Sequence, residues 1–189
     1  MIHSKLIPNG QFNNAFDIKE NTDLQIASME QSHSDVFLEV DKPGVYKADA
    51  LFTKHKNIAL IVKTADCMPV LISDKQKVGV VHVGWKGLEN KIFNKTISNF
   101  DLSKLKVSIG PFAQKCCYEV KEDLETKFSE HCLKVNNKIY LDLSKEIKEF
   151  CQLNMIDLEV SEICTVESEK YNSYRRDKTK NRQLSKVWI

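Results

Sequence analysis

The sequence predicts an α/β (α+β) fold, and three observations carry that prediction. Short apolar runs rich in β-branched residues, residues 58–62 and 78–81 above all, have the length and composition of buried strands. Turn signatures stand between such runs, notably Asp41-Lys-Pro-Gly44 and the charged Asp74-Lys-Gln-Lys77. Interleaved with them are stripes at helical spacing: Leu88, Ile92, Thr96, Ile97 and Phe100, then Leu143, Ile147, Phe150, Cys151 and Met155. The first apolar run leads into Cys67 and the second into His82. A thiol and an imidazole therefore stand at the downstream ends of strands, where α/β proteins commonly place chemistry.

In chain order, residues 1–23 are polar and Asn-rich, with Pro8, Asn9 and Gly10 marking a turn; they read as a short leading strand and a loop. Residues 24–29 and 36–40 read as strands, and the polar turn 30–35 between them puts His33 on a loop. Residues 48–53 read as a further short strand, in which small and apolar neighbours make Asp49 partly buried. Gly84 and Gly87 bracket Trp85 and Lys86, a pattern of backbone closely approaching a ligand or another segment. One amphipathic helix over 88–100 starts there, and the positive end of its dipole favours an anion near the loop. Residues 105–109 are a strand ending in Gly110-Pro111. Cys116 and Cys117 read as packing or inert thiols. Val120, Leu124 and Phe128 make a short helical stripe, and residues 139–141 a strand. A helix with Asp142 as its N-cap buries Cys151, and a strand over 158–160 precedes Cys164. The tail from 170 to 186 carries Lys170, Arg175, Arg176, Lys178, Lys180, Arg182 and Lys186 against one acid, Asp177. It ends in the apolar Val187-Trp-Ile189, which would order the tail and let its arginines face inward toward an anion.

At 189 residues, with 42% hydrophobic and 29% charged side chains, the chain fits a single globular domain over 1–189. A net charge of +2 gives no global argument for nucleic-acid or membrane binding. No apolar stretch approaches the roughly 20 residues that span a bilayer. The first ten residues lack the apolar core of a signal peptide, so a cytoplasmic protein is expected. In that setting six cysteines without a C-x-x-C pair argue for reduced thiols, metal ligation or catalysis.

Two chemistries fit the singled-out residues. His33, Cys67 and His82 are a borderline-soft ligand set suited to zinc, with copper as competitor, and three protein ligands leave one position open. The same residues make a Cys–His nucleophile pair, with Cys67 attacking, a histidine as base and Asp49 orienting the imidazole. Both readings need the thiolate, so the sequence does not separate them.

The matching elements Gln31-Ser-His33, Ala48-Asp-Ala-Leu-Phe-Thr53, Thr64-Ala-Asp-Cys-Met-Pro-Val70, His82-Val-Gly-Trp-Lys-Gly87, Ile109-Gly-Pro111, Cys116-Cys-Tyr-Glu-Val120 and Ser173-Tyr-Arg-Arg-Asp177 with Arg182 occur in one order. On these, the chain resembles the YfiH family of laccase-domain proteins, also described as polyphenol-oxidoreductase-like or multi-activity purine nucleoside enzymes. The resemblance covers residues 24–189 and implies a compact layered sandwich of mixed β-sheets flanked by helices. It implies metal ligation by His33, Cys67 and His82. It also implies phosphorolysis of adenosine, inosine, guanosine and methylthioadenosine, with deamination of adenosine. The chain departs from the family pattern at Ser34, where Gly is usual, at Lys86 for Arg, at Phe112 for Cys and at Lys180-Asn181 for Thr-Gly, and its N-terminus reads as shortened.

The expected mechanism places Zn²⁺, or Cu²⁺ in its stead, on His33, Cys67 and His82. Phosphate is attracted by Arg175 with Lys86 and Arg176, and the metal activates water for attack at C6 of adenine. Asp49 or Asp66 shuttles the proton. The partners are then purine nucleosides and phosphate, on a monomer or homodimer. Two other readings remain: a Cys67/His82 hydrolase of amide or peptide bonds, such as cell-wall precursors, and an RNA- or protein-binding domain that uses the basic tail through Arg175, Arg176 and Arg182.

Overall fold

The computed structural model describes residues 1–15 and 24–189. Strands β1 (Ile2–His3) and β2 (Gln11–Phe12) pair as a short antiparallel hairpin, and the rest of the expected Asn-rich loop, residues 16–23, lies outside the described residues. Strands β3 (Gln25–Met29), β4 (Phe37–Glu39) and β6 (Ala50–Thr53) stand where apolar runs predict them. Strand β5 (Gly44–Tyr46) emerges directly from what reads in the sequence as a turn. The two strongest runs are β7 (Ile58–Thr64) and β9 (Val78–Val83), and between them lies β8 (Met68–Ser73), which sequence analysis does not expect. Its second residue is Pro69, a residue that normally argues against a central strand.

The helix expected over 88–100 is two, α1 (Trp85–Glu89) and α2 (Ile92–Ile97), broken at Lys91 with φ of 58°. With one turn of helix at the Gly84 end, little dipole accumulates there, and the expected anion site at a helix N-terminus is not supported. A 3-10 turn (Leu102–Lys104) leads into β10 (Lys106–Ile109). Then come β11 (Glu119–Val120), α3 (Glu122–Lys127), β12 (Cys132–Val135), β13 (Lys138–Leu141) and α4 (Lys145–Leu153). Ser144, not Asp142, is the N-cap residue of α4; the Asp142 carboxylate accepts from the Ser144 N–H at 2.9 Å. The chain closes with β14 (Asp157–Val160), α5 (Tyr174–Asp177) and β15 (Gln183–Val187).

One sheet runs β1-β2-β15-β7-β3-β5 and a second runs β14-β10-β8-β9-β6-β4; a small antiparallel sheet, β11-β13-β12, stands apart. Both large sheets are mixed: β3 pairs in parallel with β5 and β7, and β10 with β14, among otherwise largely antiparallel pairs. The second sheet is the middle layer, and side-chain alternation shows it. Leu51, Leu71 and Val80 join Ala27, Leu60, Val62 and Val187 of the first sheet in one core cluster. Their neighbours Phe52, Val70 and Val81 point the other way, into a cluster with Leu88, Ile92, Phe93 and Ile97 of the helices and Ile147 of α4. A strand buried on both faces reads as a continuous apolar run, which is why β7 and β9 are the easiest to find in the sequence. The layers are thus sheet, sheet and helix, the mixed sandwich the resemblance implies.

Candidate metal centre and active site

Two chain crossings between the two large sheets and one strand build the site. The loop from β3 to β4 leaves the first sheet for the second and carries His33; the loop from β7 to β8 does the same and carries Cys67. His82 is the fifth residue of β9, inside the strand and not beyond its end. The β8–β9 register pairs Pro69 with His82 and Met68 with Val83, so Cys67 falls opposite Gly84. A Cβ on Gly84 would stand 3.0 Å from the Cys67 sulfur and 3.1 Å from the His33 ring. Glycine is required there because the thiol and an imidazole occupy the space a side chain would take.

The ligand atoms of His33, Cys67 and His82 lie within 4.8 Å of one another, and the His33 Nε2 is 3.6 Å from the Cys67 sulfur. Two nitrogens and one sulfur in such a cluster, with backbone pared to glycine beside them, fit a zinc- or copper-class ion with a further position open.

Asp49 holds this set together from behind. The β6–β9 register pairs Ala50 with Val81, which brings Asp49 beside His82. Its Oδ1 is 2.7 Å from His82 Nδ1, leaving Nε2 of that ring for a ligand. The backbone N–H groups of Ser32, His33 and Ser34 all donate to the same carboxylate, at 3.2, 3.1 and 2.7 Å. The Ser34 hydroxyl adds a fourth bond at 2.7 Å, so the departure from the family's glycine contributes a donor. These bonds hold His33 at φ of 61°, a strained backbone for a non-glycine residue. Asp49 is wholly buried. Burial raises its carboxyl pKa, but the bonds from His82 and Ser34 outweigh that and hold it far below the usual range. Burial likewise raises the Cys67 thiol, while His33 and His82 bring it down to about 6. Burial lowers His82, yet Asp49 and Cys67 bring it up to about 9. Without metal, the site is a thiolate–imidazolium pair braced by a carboxylate.

The set opens into a cavity of about 550 Å³, also lined by Trp85, Tyr118, Tyr174, Arg175 and Arg182. Asp66 lines it and Asp49 does not. Asp66 accepts from the Thr165 hydroxyl at 2.8 Å and the Arg175 N–H at 2.6 Å, which fixes the start of α5. The Arg175 guanidinium stacks 5.2 Å from the centre of the Tyr118 ring.

Two expected phosphate ligands sit elsewhere. Arg176 donates to the carbonyls of Thr165, Val166, Ser168 and Tyr171 and pairs with Asp177, so its fork is consumed in tying the 165–171 turn together. Lys86 is exposed, its ammonium 5.5 Å over the Trp85 ring, and is not among the residues that line the cavity. Elsewhere in the tail, Lys186 is buried in β15 and stacks on Trp188, while Lys170, Lys178 and Lys180 are exposed. Trp85, Tyr118 and Tyr174 escape site prediction from the sequence, although each stands in a motif, because only folding brings these aromatic rings to one cavity; Arg182, expected only as part of the basic tail, joins them there. Phe112, in place of the family's cysteine, is fully buried in the core.

Comparison with known proteins bears out the family resemblance and the fold. A family profile described as multi-copper polyphenol oxidoreductase laccase matches residues 11–189. A protein of Aquifex aeolicus named purine nucleoside phosphorylase is 37% identical over 169 residues, covering 84% of this chain and 80% of its own length. One of Clostridium acetobutylicum with the same enzyme name is 36% identical over 178 residues, covering 86% of this chain and 73% of its own. Among solved structures, a Neisseria meningitidis protein assigned to DUF152 superposes with a TM-score of 0.79 at 27% identity, over 88% of this chain and 75% of that one. The Bacillus licheniformis protein YfiH superposes equally well, at 0.79, with 24% identity over 87% and 74%. No helix among the described residues is long and apolar enough to cross a membrane.

Proposed function

Because the chain belongs to the multi-copper polyphenol oxidoreductase laccase family, whose curated relatives bear the name purine nucleoside phosphorylase, we propose that it cleaves purine nucleosides with inorganic phosphate. Adenosine, inosine, guanosine and methylthioadenosine are the substrates proposed, with deamination of adenosine as a second activity. The observation that carries the reading is one cavity holding three kinds of group: a metal-competent His33–Cys67–His82 set, aromatic faces, and guanidinium groups.

His33, Cys67 and His82 would hold Zn²⁺, with Cu²⁺ as competitor. When bound, that ion supplies Lewis acidity and lowers the pKa of water in the site. The remaining roles belong to the chain's own residues. Trp85, Tyr118 and Tyr174 offer faces for a purine. Arg175, steadied on Tyr118, places a cation that binds phosphate and holds it in line with the ribose carbon it attacks, and such positioning supplies much of the rate. Arg182 is the second cation. Asp49 fixes the His82 ring and the His33 loop. Of the two carboxylates, Asp66 is the one facing the cavity and is assigned the proton transfer that deamination requires.

A conventional multicopper laccase needs many more histidines than the five in this chain, of which two are at the site. Cys67, His82 and Asp49 also have the order of a nucleophile, base and orienting acid, but that triad leaves His33 without a task. A second imidazole on the same sulfur is what a metal site needs. Incubation of metal-loaded protein with adenosine, with and without phosphate, should yield adenine and ribose 1-phosphate only when phosphate is present, and inosine in either case. Absence of adenine, inosine and hypoxanthine alike would sink the assignment. A Cys67 hydrolase would instead be metal-independent and abolished by alkylation.

A further inference from the structure

A second cluster of metal-ligating groups lies outside that cavity. Cys116, Cys117, Cys164 and Glu167 each offer a ligand atom, and the four atoms lie within 4.8 Å of one another. The sequence alone reads the adjacent pair as packing or inert thiols, yet Cys116 is exposed and Cys117 half-buried, so neither fills the core. Two facing turns supply the cluster. In one, the Cys117 N–H donates to the Gln114 carbonyl at 3.0 Å; in the other, the Ser168 N–H donates to the Cys164 carbonyl at 3.0 Å. The turns are fastened to each other by the Thr165 N–H to the Phe112 carbonyl at 3.0 Å and the Gln114 side-chain amide to the Ser161 carbonyl at 2.9 Å. The turns that carry the donors are therefore held together by hydrogen bonds outside the cluster itself.

We infer that these four residues form a second, structural Zn²⁺ site. Three thiolates and a carboxylate complete a tetrahedral set, which leaves no open position, in contrast to the three-ligand centre in the cavity. Zinc–sulfur bonds of about 2.3 Å at a tetrahedral angle put sulfurs about 3.8 Å apart. The Cys116 and Cys117 sulfurs stand 2.9 Å apart, and the exposed Cys116 side chain opens outward to reach that spacing. A disulfide between the two is disfavoured, because consecutive Cα atoms sit about 3.8 Å apart and disulfides need at least about 4.4 Å. Binding exchanges thiol protons for the metal, with no change of oxidation state. The site would brace two neighbours of the cavity: Tyr118 follows Cys117, and Thr165, which donates to Asp66, follows Cys164.

The test is metal stoichiometry of the full chain, purified under reducing conditions and loaded with Zn²⁺ alone. The wild type should hold about two equivalents, and Cys67→Ala and Cys117→Ser about one each. Co²⁺ substituted into Cys67→Ala should show intense sulfur-to-metal charge-transfer and tetrahedral visible bands. Cys116→Ser and Glu167→Gln, both at exposed positions, keep the test valid should Cys117→Ser fail to fold; each should weaken the Cys67→Ala site at least about tenfold against a chelator. No Zn²⁺ held by Cys67→Ala, Co²⁺ bands unmoved by Cys116→Ser and Glu167→Gln, or a Cys117–Cys164 disulfide in thiol-blocked protein would each overturn the inference. Cys67→Ala makes this outcome independent of the cavity site and of any nucleoside activity.

Discussion

Asp49 carries more of the site than any ligand does. Its two oxygens serve four donors and the His82 ring. Asp49→Asn keeps the size but loses the charge that fixes the tautomer and position of His82, so metal affinity should fall about 10- to 100-fold in chelator competition; unchanged affinity would remove Asp49 from this positioning role. Cys67 gives a second test. A thiol brought down to about 6 stays a thiolate at neutral pH. In metal-stripped protein, alkylation of Cys67 should therefore rise with a midpoint near pH 6, in contrast to about 8.5 for an ordinary cysteine, and metal loading should block it. His33, Cys67 and His82 were all legible as chemistry-bearing residues, since their types alone announce ligands or catalysts. The division of labour between Arg175 and Arg176 was not. Adjacent arginines look alike in sequence, and only the 165–171 turn, with its cluster of carbonyls facing Arg176, separates them.

Strand register converts these residues into a site. Pairing of β8 with β9 places Gly84 against Cys67, and pairing of β6 with β9 places Asp49 against His82. Gly84→Ala puts a methyl group 3.0 Å from the sulfur. It should cost about 1–3 kcal/mol in urea unfolding and weaken metal binding together, as overpacking at a ligand would. Wild-type stability and affinity would reject that close approach. The short α5 makes a different prediction. Arg176→Ala should destabilise the fold by about 2 kcal/mol, the worth of its charged hydrogen bonds, yet leave the phosphate KM of the folded protein near wild type. Arg175→Ala should instead raise that KM about tenfold. Equal effects on KM would reject the distinction. The break at Lys91 shows why the sequence predicts one helix over 88–100 where there are two. Apolar spacing continues through the break, since both α1 and α2 press on the same middle sheet, so periodicity registers the buried face and not the interruption.

Across the whole molecule, the buried charges predict how stability depends on pH. In metal-stripped protein His82 is raised from 6.5 to about 9, so its contribution is full below 6.5 and lost as pH rises toward 9. Cys67 is lowered from 9.0 to about 6, so its contribution grows over the same interval. The two oppose, because the folded pair holds one proton as imidazolium where the unfolded chain holds it as thiol. Thermal melts should be nearly flat from pH 6.5 to 8.5 and should fall progressively below about pH 4, where the unfolded chain takes up a proton that the depressed Asp49 carboxyl does not. Cys67→Ala removes the opposing thiol and leaves Asp49 alone to raise His82, so its melting temperature should decline above pH 6.5 over a narrower range; a melting temperature that rises over that range would contradict the coupling. What the sequence by itself determined was the α+β class, most strand positions and the identity of the three candidate ligands, because burial period and residue chemistry are local properties. What only the tertiary structure decided was which of them meet. The crossings that bring His33 and Cys67 to His82, the carboxylate behind them, the aromatic and cationic lining of the cavity and the pairing of the 114–117 and 164–167 turns all depend on contacts between residues far apart in the chain. No local pattern encodes those contacts.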